Sequence, residues 1–224
     1  PQTIFFSVSG DFEDFNAGTL NSSALTYTIG SNQVNVIRYL TASRALLIGT
    51  SGGEFVVRAS SDEPISPTNT QILRQASYGS ANIQPVAVAN VVLFVQRAKR
   101  KLRELVYSFG SDSYFAPDLT ILSENITDGL IKEIALQQEP DNIVWCVLEN
   151  GKFVGMTYRR EEEVVAWHDH EIGGTYTAGG VTYNYGFVES VATIPSSTGT
   201  EDEVYIVVAR TIGGATKRYI ERLK

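Results

Sequence analysis

Cysteine, methionine and histidine are nearly missing from this chain: its 224 residues include one cysteine, one methionine and two histidines. A single cysteine, Cys146, excludes an intramolecular disulfide and any zinc site built on paired cysteines. Its place in the apolar run 143–148 marks it as a buried small hydrophobe and not a reactive thiol. Apolar runs are short, and none approaches the roughly 18–20 residues that a membrane helix needs. The opening residues alternate in polarity, without the basic end and apolar block of a secretory leader. Positive charge is also short, with 18 Lys and Arg against 25 Asp and Glu. The net charge of −7 argues against general affinity for nucleic acid, because duplex binding rests on neutralising phosphates. It suits a surface past which DNA slides without adhering.

What is plentiful points to strands. Nineteen glycines and eleven tyrosines, with many Val, Ile and Thr, favour extended chain and tight turns over helices. Four strand pairs align on their turns. Residues 46–50 turn at Ser51-Gly52-Gly53 and return over 54–57; residues 91–95 turn at Lys99-Arg100-Lys101 and return over 102–107. Residues 143–148 turn at Asn150-Gly151 and return over 152–156; residues 204–208 turn at Gly213-Gly214 and return over 216–220. Asn-Gly and Gly-Gly between strand patterns are strong hairpin signals, because primed turns need positive φ.

One strand pattern precedes each hairpin, at 35–40, 84–89, 133–137 and 189–194, and a fourth follows the first three, at 72–75, 120–123 and 164–168. First strands of the hairpins are apolar throughout, as in strands covered on both faces; the return strands alternate, as expected nearer an edge. Hairpins recur about every 45–60 residues, close to known propeller repeats. The expected fold is therefore all-β, a small β-propeller of four antiparallel blades in one domain over residues 1–224. A fifth blade follows if residues 24–29 join an extra sheet. Residues 3–8 are placed to pair beside 217–223 and close the ring, removing an exposed edge. A β-sandwich or split barrel is the competing architecture. Pro1 directly before a strand pattern and Lys224 directly after one suggest a domain excised from a longer chain.

Three stretches carry a family likeness. They are Ile4-Phe5-Phe6-Ser7 followed by Gly10-Asp11-Phe12-Glu13-Asp14-Phe15; the segment LLIGTSGGEF at 46–55; and Glu189-Ser190-Val191-Ala192 with Asp202-Glu203-Val204 and Arg218-Tyr219-Ile220-Glu221-Arg222-Leu223. Together with Trp167-His168-Asp169-His170 they resemble the tail nozzle proteins of short-tailed bacteriophages, also called tail tubular protein B or head-to-tail stabilisation proteins. The resemblance implies a structural virion protein of the phage tail. Copies of it would ring the DNA channel below the portal and adaptor proteins, retaining the genome and then passing duplex DNA without sequence-specific contacts. It brings no catalytic residues and no cofactor.

Candidate chemistry is sparse. His168 and His170, two apart on an extended segment, share a face with Asp169 opposite, but a metal would need a third ligand. No Gly-x-Ser-x-Gly elbow occurs, and acidic runs such as 161–163 read as solvated surface, so the chain is not expected to be an enzyme. Lys99, Arg100 and Lys101, at a hairpin tip with Arg97 and Arg103 nearby, are candidates for contact with phosphates or an acidic partner. Tyr176, Tyr183 and Tyr185, in a Gly- and Thr-rich stretch that forms a projecting hairpin, are candidates for subunit contact. The alternative function is a virion propeller module that binds a host-surface glycan through those tyrosines.

Overall fold

The computed structural model describes residues 2–30, 34–60 and 63–223; Pro1 and Lys224, which suggested an excised domain, lie outside them. Across the described residues the protein is all-β. Strands form six antiparallel sheets, and the helical content is one turn of 3-10 helix, Phe109–Ser111. Among the described residues no helix is long and apolar enough to cross a membrane.

The chain divides into two compact units, Pro1–Arg97 with Glu104–Pro117, and Ala98–Arg103 with Asp118–Lys224. In the first unit, β1 (Thr3–Phe6) and β2 (Leu25–Thr28) form a two-stranded ribbon. Next, β3 (Ile37–Ala42), β4 (Leu46–Thr50), β5 (Gly53–Ala59) and β6 (Thr70–Ala76) lie side by side in chain order. They are followed in the same manner by β7 (Val86–Val88), β8 (Val91–Val95), β9 (Leu102–Ser108) and β10 (Ser113–Phe115), the first two residues of β9 belonging to the second unit. The second unit holds the sheet β11 (Ile131–Gln137), β12 (Ile143–Leu148), β13 (Phe153–Arg159), β14 (Val164–His170), again in chain order. A small hairpin, β15 (Tyr176–Ala178) with β16 (Val181–Tyr183), precedes the three-stranded sheet β17 (Phe187–Pro195), β18 (Asp202–Ile212), β19 (Ala215–Arg222).

All four expected hairpins are present, as β4–β5, β8–β9, β12–β13 and β18–β19. At three tips the backbone adopts positive φ, at Gly151, at Gly213 and Gly214, and at Lys99 (62°), whereas the first hairpin turns at Gly52-Gly53 without it. Three return strands differ from the alternation expected of them. The first four or five residues of β5, β9 and β13 are buried continuously, because each has a further strand beside it and is covered on both faces. Only β19 is an edge, and it is exposed almost throughout.

Packing follows the two-residue period of the strands. On β4 and β5, Leu47 and Val56 join a cluster with Tyr39, Val92, Phe94 and Leu105, while Ile48, Phe55 and Val57 face a second cluster with Ile4 and Ile29. In the second unit, Trp145, Val147 and Phe153 pack on Val188, Val191, Val204, Ile206 and Val208. Each such side chain contributes about 1.5–3 kcal/mol by leaving water.

Two placements differ from expectation. The N-terminal strand does not close a ring beside β19; β1 pairs with β2, Thr3 opposite Thr28 and Phe6 opposite Leu25. Closing that short loop costs less chain entropy than joining the two ends of the chain, and the pairing buries Ile4. Residues 24–29 do thereby join an extra sheet. The fourth strand after β9 is β10, not residues 120–123. There Asp118 accepts hydrogen bonds from the Thr120 amide (2.9 Å) and hydroxyl (2.5 Å), and successive turns follow. β10 takes the position because Tyr114 buries itself edge-on against Tyr107, ring centres 5.3 Å apart.

Candidate functional site

The histidine pair is built by a row of residues across one sheet. Trp145 on β12 lies opposite Gly155 on β13, which lies opposite His168 on β14. Gly155 has no side chain, so the Trp145 and His168 rings meet over it, centres 5.8 Å apart. His170, two residues on, shares that face as expected: its Nε2 lies 2.6 Å from His168 Nδ1, and its ring packs against Trp145 at 4.9 Å. One N–H bridges the two imidazoles, and Thr157 Oγ1 lies 3.3 Å from His168 Nε2. Burial holds both rings below the ordinary histidine value, and His170 lowers His168 further. Among the described residues no three His, Cys, Asp or Glu side chains converge as a metal site requires. Trp167 turns the other way and donates its indole N–H to the Leu119 carbonyl at 2.9 Å. Cys146 is fully buried, and burial pushes its thiol up to about 12.

The tyrosine stretch forms the hairpin β15–β16, turning at Gly179-Gly180. Its aromatic rings are partly used at home. Tyr176 and Tyr183 face each other across the hairpin, stacked at 6.1 Å, and both lean on Phe187, at 4.9 and 5.3 Å. Tyr185 donates its hydroxyl to the Asn150 carbonyl at 3.0 Å. The surface left outward is carried mainly by Thr177, Ala178, Val181 and Thr182.

The basic tip is largely paired with acids of its own unit. Lys99 meets Glu149 at 2.6 Å, and Lys101 meets Asp118 at 2.7 Å and Glu124 at 3.2 Å. Burial alone would raise the Asp118 carboxyl; hydrogen bonds from Lys101 and Thr120 outweigh it and leave the group below its usual range. Arg100 is exposed, while its carbonyl accepts from the Thr127 hydroxyl at 2.6 Å.

One concavity was not foreseen from sequence. A cleft of about 700 Å³ opens in the first unit. Arg58 on β5 grips Asp112 through both guanidinium nitrogens, at 3.1–3.2 Å, and the Tyr107 hydroxyl donates to the same carboxylate at 2.7 Å. Those bonds, Arg58 first, hold the Asp112 carboxyl below its usual range. Asp112 sits at φ 45°, a left-handed position that short polar side chains tolerate, closing the 3-10 turn before β10. Arg44, in the turn between β3 and β4, lays its guanidinium over the Tyr107 ring, 5.2 Å from the centre. Gln71 and Gln75, four apart on β6, share a face, and Gln75 Oε1 accepts the Tyr114 amide at 2.9 Å. These residues come from five separate segments. The signal available in sequence was the Gln71/Gln75 pair, four apart on one strand.

A scan against protein-family models finds none that matches the chain, and a search of curated proteins finds no match. Among solved structures the chain is similar to an auxiliary nutrient binding protein from Bacteroides thetaiotaomicron, at 7% identity and a TM-score of 0.43, over 88% of this chain and 50% of that one. It is also similar to a luciferin-regenerating enzyme, at 13% identity and a TM-score of 0.42, over 78% of this chain and 54% of that one. The chain thus spans about half the length of either. An enzyme among these structures overturns the expectation that the chain is not one; that expectation is withdrawn. Likeness at this level transfers no activity to the chain.

Proposed function

We propose that the chain is a β-propeller domain of a tail nozzle subunit of a short-tailed bacteriophage. In this reading several copies ring the channel below the portal and adaptor proteins, holding the packaged genome and then letting duplex DNA pass into the host. The observation that supports it best is the repetition of one plan through four successive sheets, a strand followed by a hairpin, with a fourth strand in the first three. Each sheet is a blade, and the β1–β2 ribbon is a partial fifth. The sequence resemblance at residues 4–15, 46–55 and 189–223 favours the nozzle over other propellers, and a net charge of −7 favours passage of DNA over its capture. The β15–β16 hairpin is the surface assigned to neighbouring subunits.

The test is placement in the virion. A gold-labelled antibody raised against the chain should mark the tail of the phage that encodes it, at the end away from the capsid. Label on the capsid, or particles without the protein, would sink the reading.

A further inference from the structure

The geometry points to a saccharide site in the cleft of the first unit, one that takes the carboxylate of an acidic sugar such as a uronate on the Arg44 guanidinium. Size and lining both favour a polar ligand. About 700 Å³ lies within the range of small-molecule sites, but those are mostly apolar, whereas guanidinium, amide, carboxylate and phenol groups line this one. A sugar matches that lining. Its hydroxyls both donate and accept, and its C–H faces suit the exposed apolar lining at Pro64 and Ile65.

The two arginines differ in what they have left to give. Arg58 is committed to Asp112. Arg44 is exposed; its charge helps to hold Asp112 ionised, and its guanidinium lies over the face of Tyr107, a contact that uses none of its N–H donors. A planar fork with open donors is suited to a carboxylate, which it grips through two parallel bonds. Asp112 and Glu63 line the same cleft and would repel a polyanion, so a singly charged ligand fits better than a phosphate ester. The acceptor side is fixed in advance. Arg58 and Tyr107 hold Asp112 in place, and Gln75, fixed by accepting from the Tyr114 amide, has among the described residues no partner for its amide NH2. Groups already held in place lose little freedom on binding.

The site does not depend on the nozzle reading. Calorimetric titration of the 224-residue chain with sodium glucuronate, glucose, acetate and inorganic phosphate tests it. Saturable binding of glucuronate, about tenfold or more tighter than glucose or acetate, is expected, and Arg44→Gln should reduce it to the glucose level. Arg44 is exposed, so the thermal midpoint of that variant should stay at the wild-type value. Should Arg44→Gln fail to fold, Arg44→Lys, which keeps the charge and loses the fork, should still weaken glucuronate severalfold. No saturable glucuronate binding, equal affinity for glucose, equal affinity for acetate or phosphate, or full affinity in the Arg44 variants would each overturn the assignment.

Discussion

Gly155 occupies a point where any side chain would have to share space with an imidazole. A Cβ built there lies 2.2 Å from His168 Cε1, and His168 is held by both His170 and Trp145. Gly155→Ala should therefore cost about 1–3 kcal/mol as the ring is forced aside. Chemical denaturation measures this, with Gly173→Ala, where a Cβ meets nothing within 4 Å, as the control. The same histidines set a pH dependence. Both are depressed below 6.5 by burial, so the unfolded chain takes up their protons first. Their contribution is complete above about pH 6.5 and is lost as pH falls through the lower folded values. Urea midpoints should fall between pH 7.5 and 5.5, and the double variant His168→Asn, His170→Asn should lose that slope. The carboxylates held low, such as Asp112 and Glu189, act in a more acid window, below their ordinary values near 4. Sequence spacing places the two histidines on one face. It is silent on the glycine beneath them, because that contact depends on strand register.

The hairpins are the elements most fully readable from sequence, because an apolar run, a Gly or Asn turn and a second run are local signals. The strands that complete each sheet depend on what they pack against. Ser113–Phe115 contains one buried residue, Tyr114, and too little pattern to be recognised, while the more apolar residues 120–123 are drawn into turns by Asp118. The last sheet shows a different balance. β19 ends it, and ion pairs tie it inward, Arg218 to Glu189 and Glu221 to Arg210. Ile220 nevertheless stands 77% exposed on this edge, next to Tyr219 at 43%. Bare edges of this kind template pairing with other chains, and lysine blunts them. Ile220→Lys should reduce self-association in light scattering at high concentration while leaving the unfolding midpoint in place. Undiminished association would mean that the edge is not where copies meet.

At the scale of the whole molecule the chain is interleaved, entering the second unit at Ala98, returning to the first at Glu104 and leaving it again at Asp118. The short visit at 98–103 carries structural weight. Within the second unit the Lys99, Arg100 and Leu102 carbonyls accept hydrogen bonds from Ile131, Thr127 and Leu119, at 2.7, 2.6 and 3.0 Å. A fragment spanning residues 98–224 should therefore be more stable than one spanning 118–224, by roughly 1.5–4.5 kcal/mol for three hydrogen bonds, as read from their denaturation midpoints. The cleft belongs to this scale as well. Arg44, Arg58, Gln71, Tyr107 and Asp112 are spread over nearly seventy positions and converge only through sheet packing, which is why no linear motif announces them.

Interleaving also sets an order in time. During synthesis, Tyr39, Leu47, Val56, Val92 and Phe94 leave the ribosome before Leu105, Tyr114 and Ala116, the remaining members of their cluster. At roughly 5–20 residues per second, the nascent chain spends about a second or more with that apolar face uncovered, and the segment that begins the second unit is made before the first can be finished.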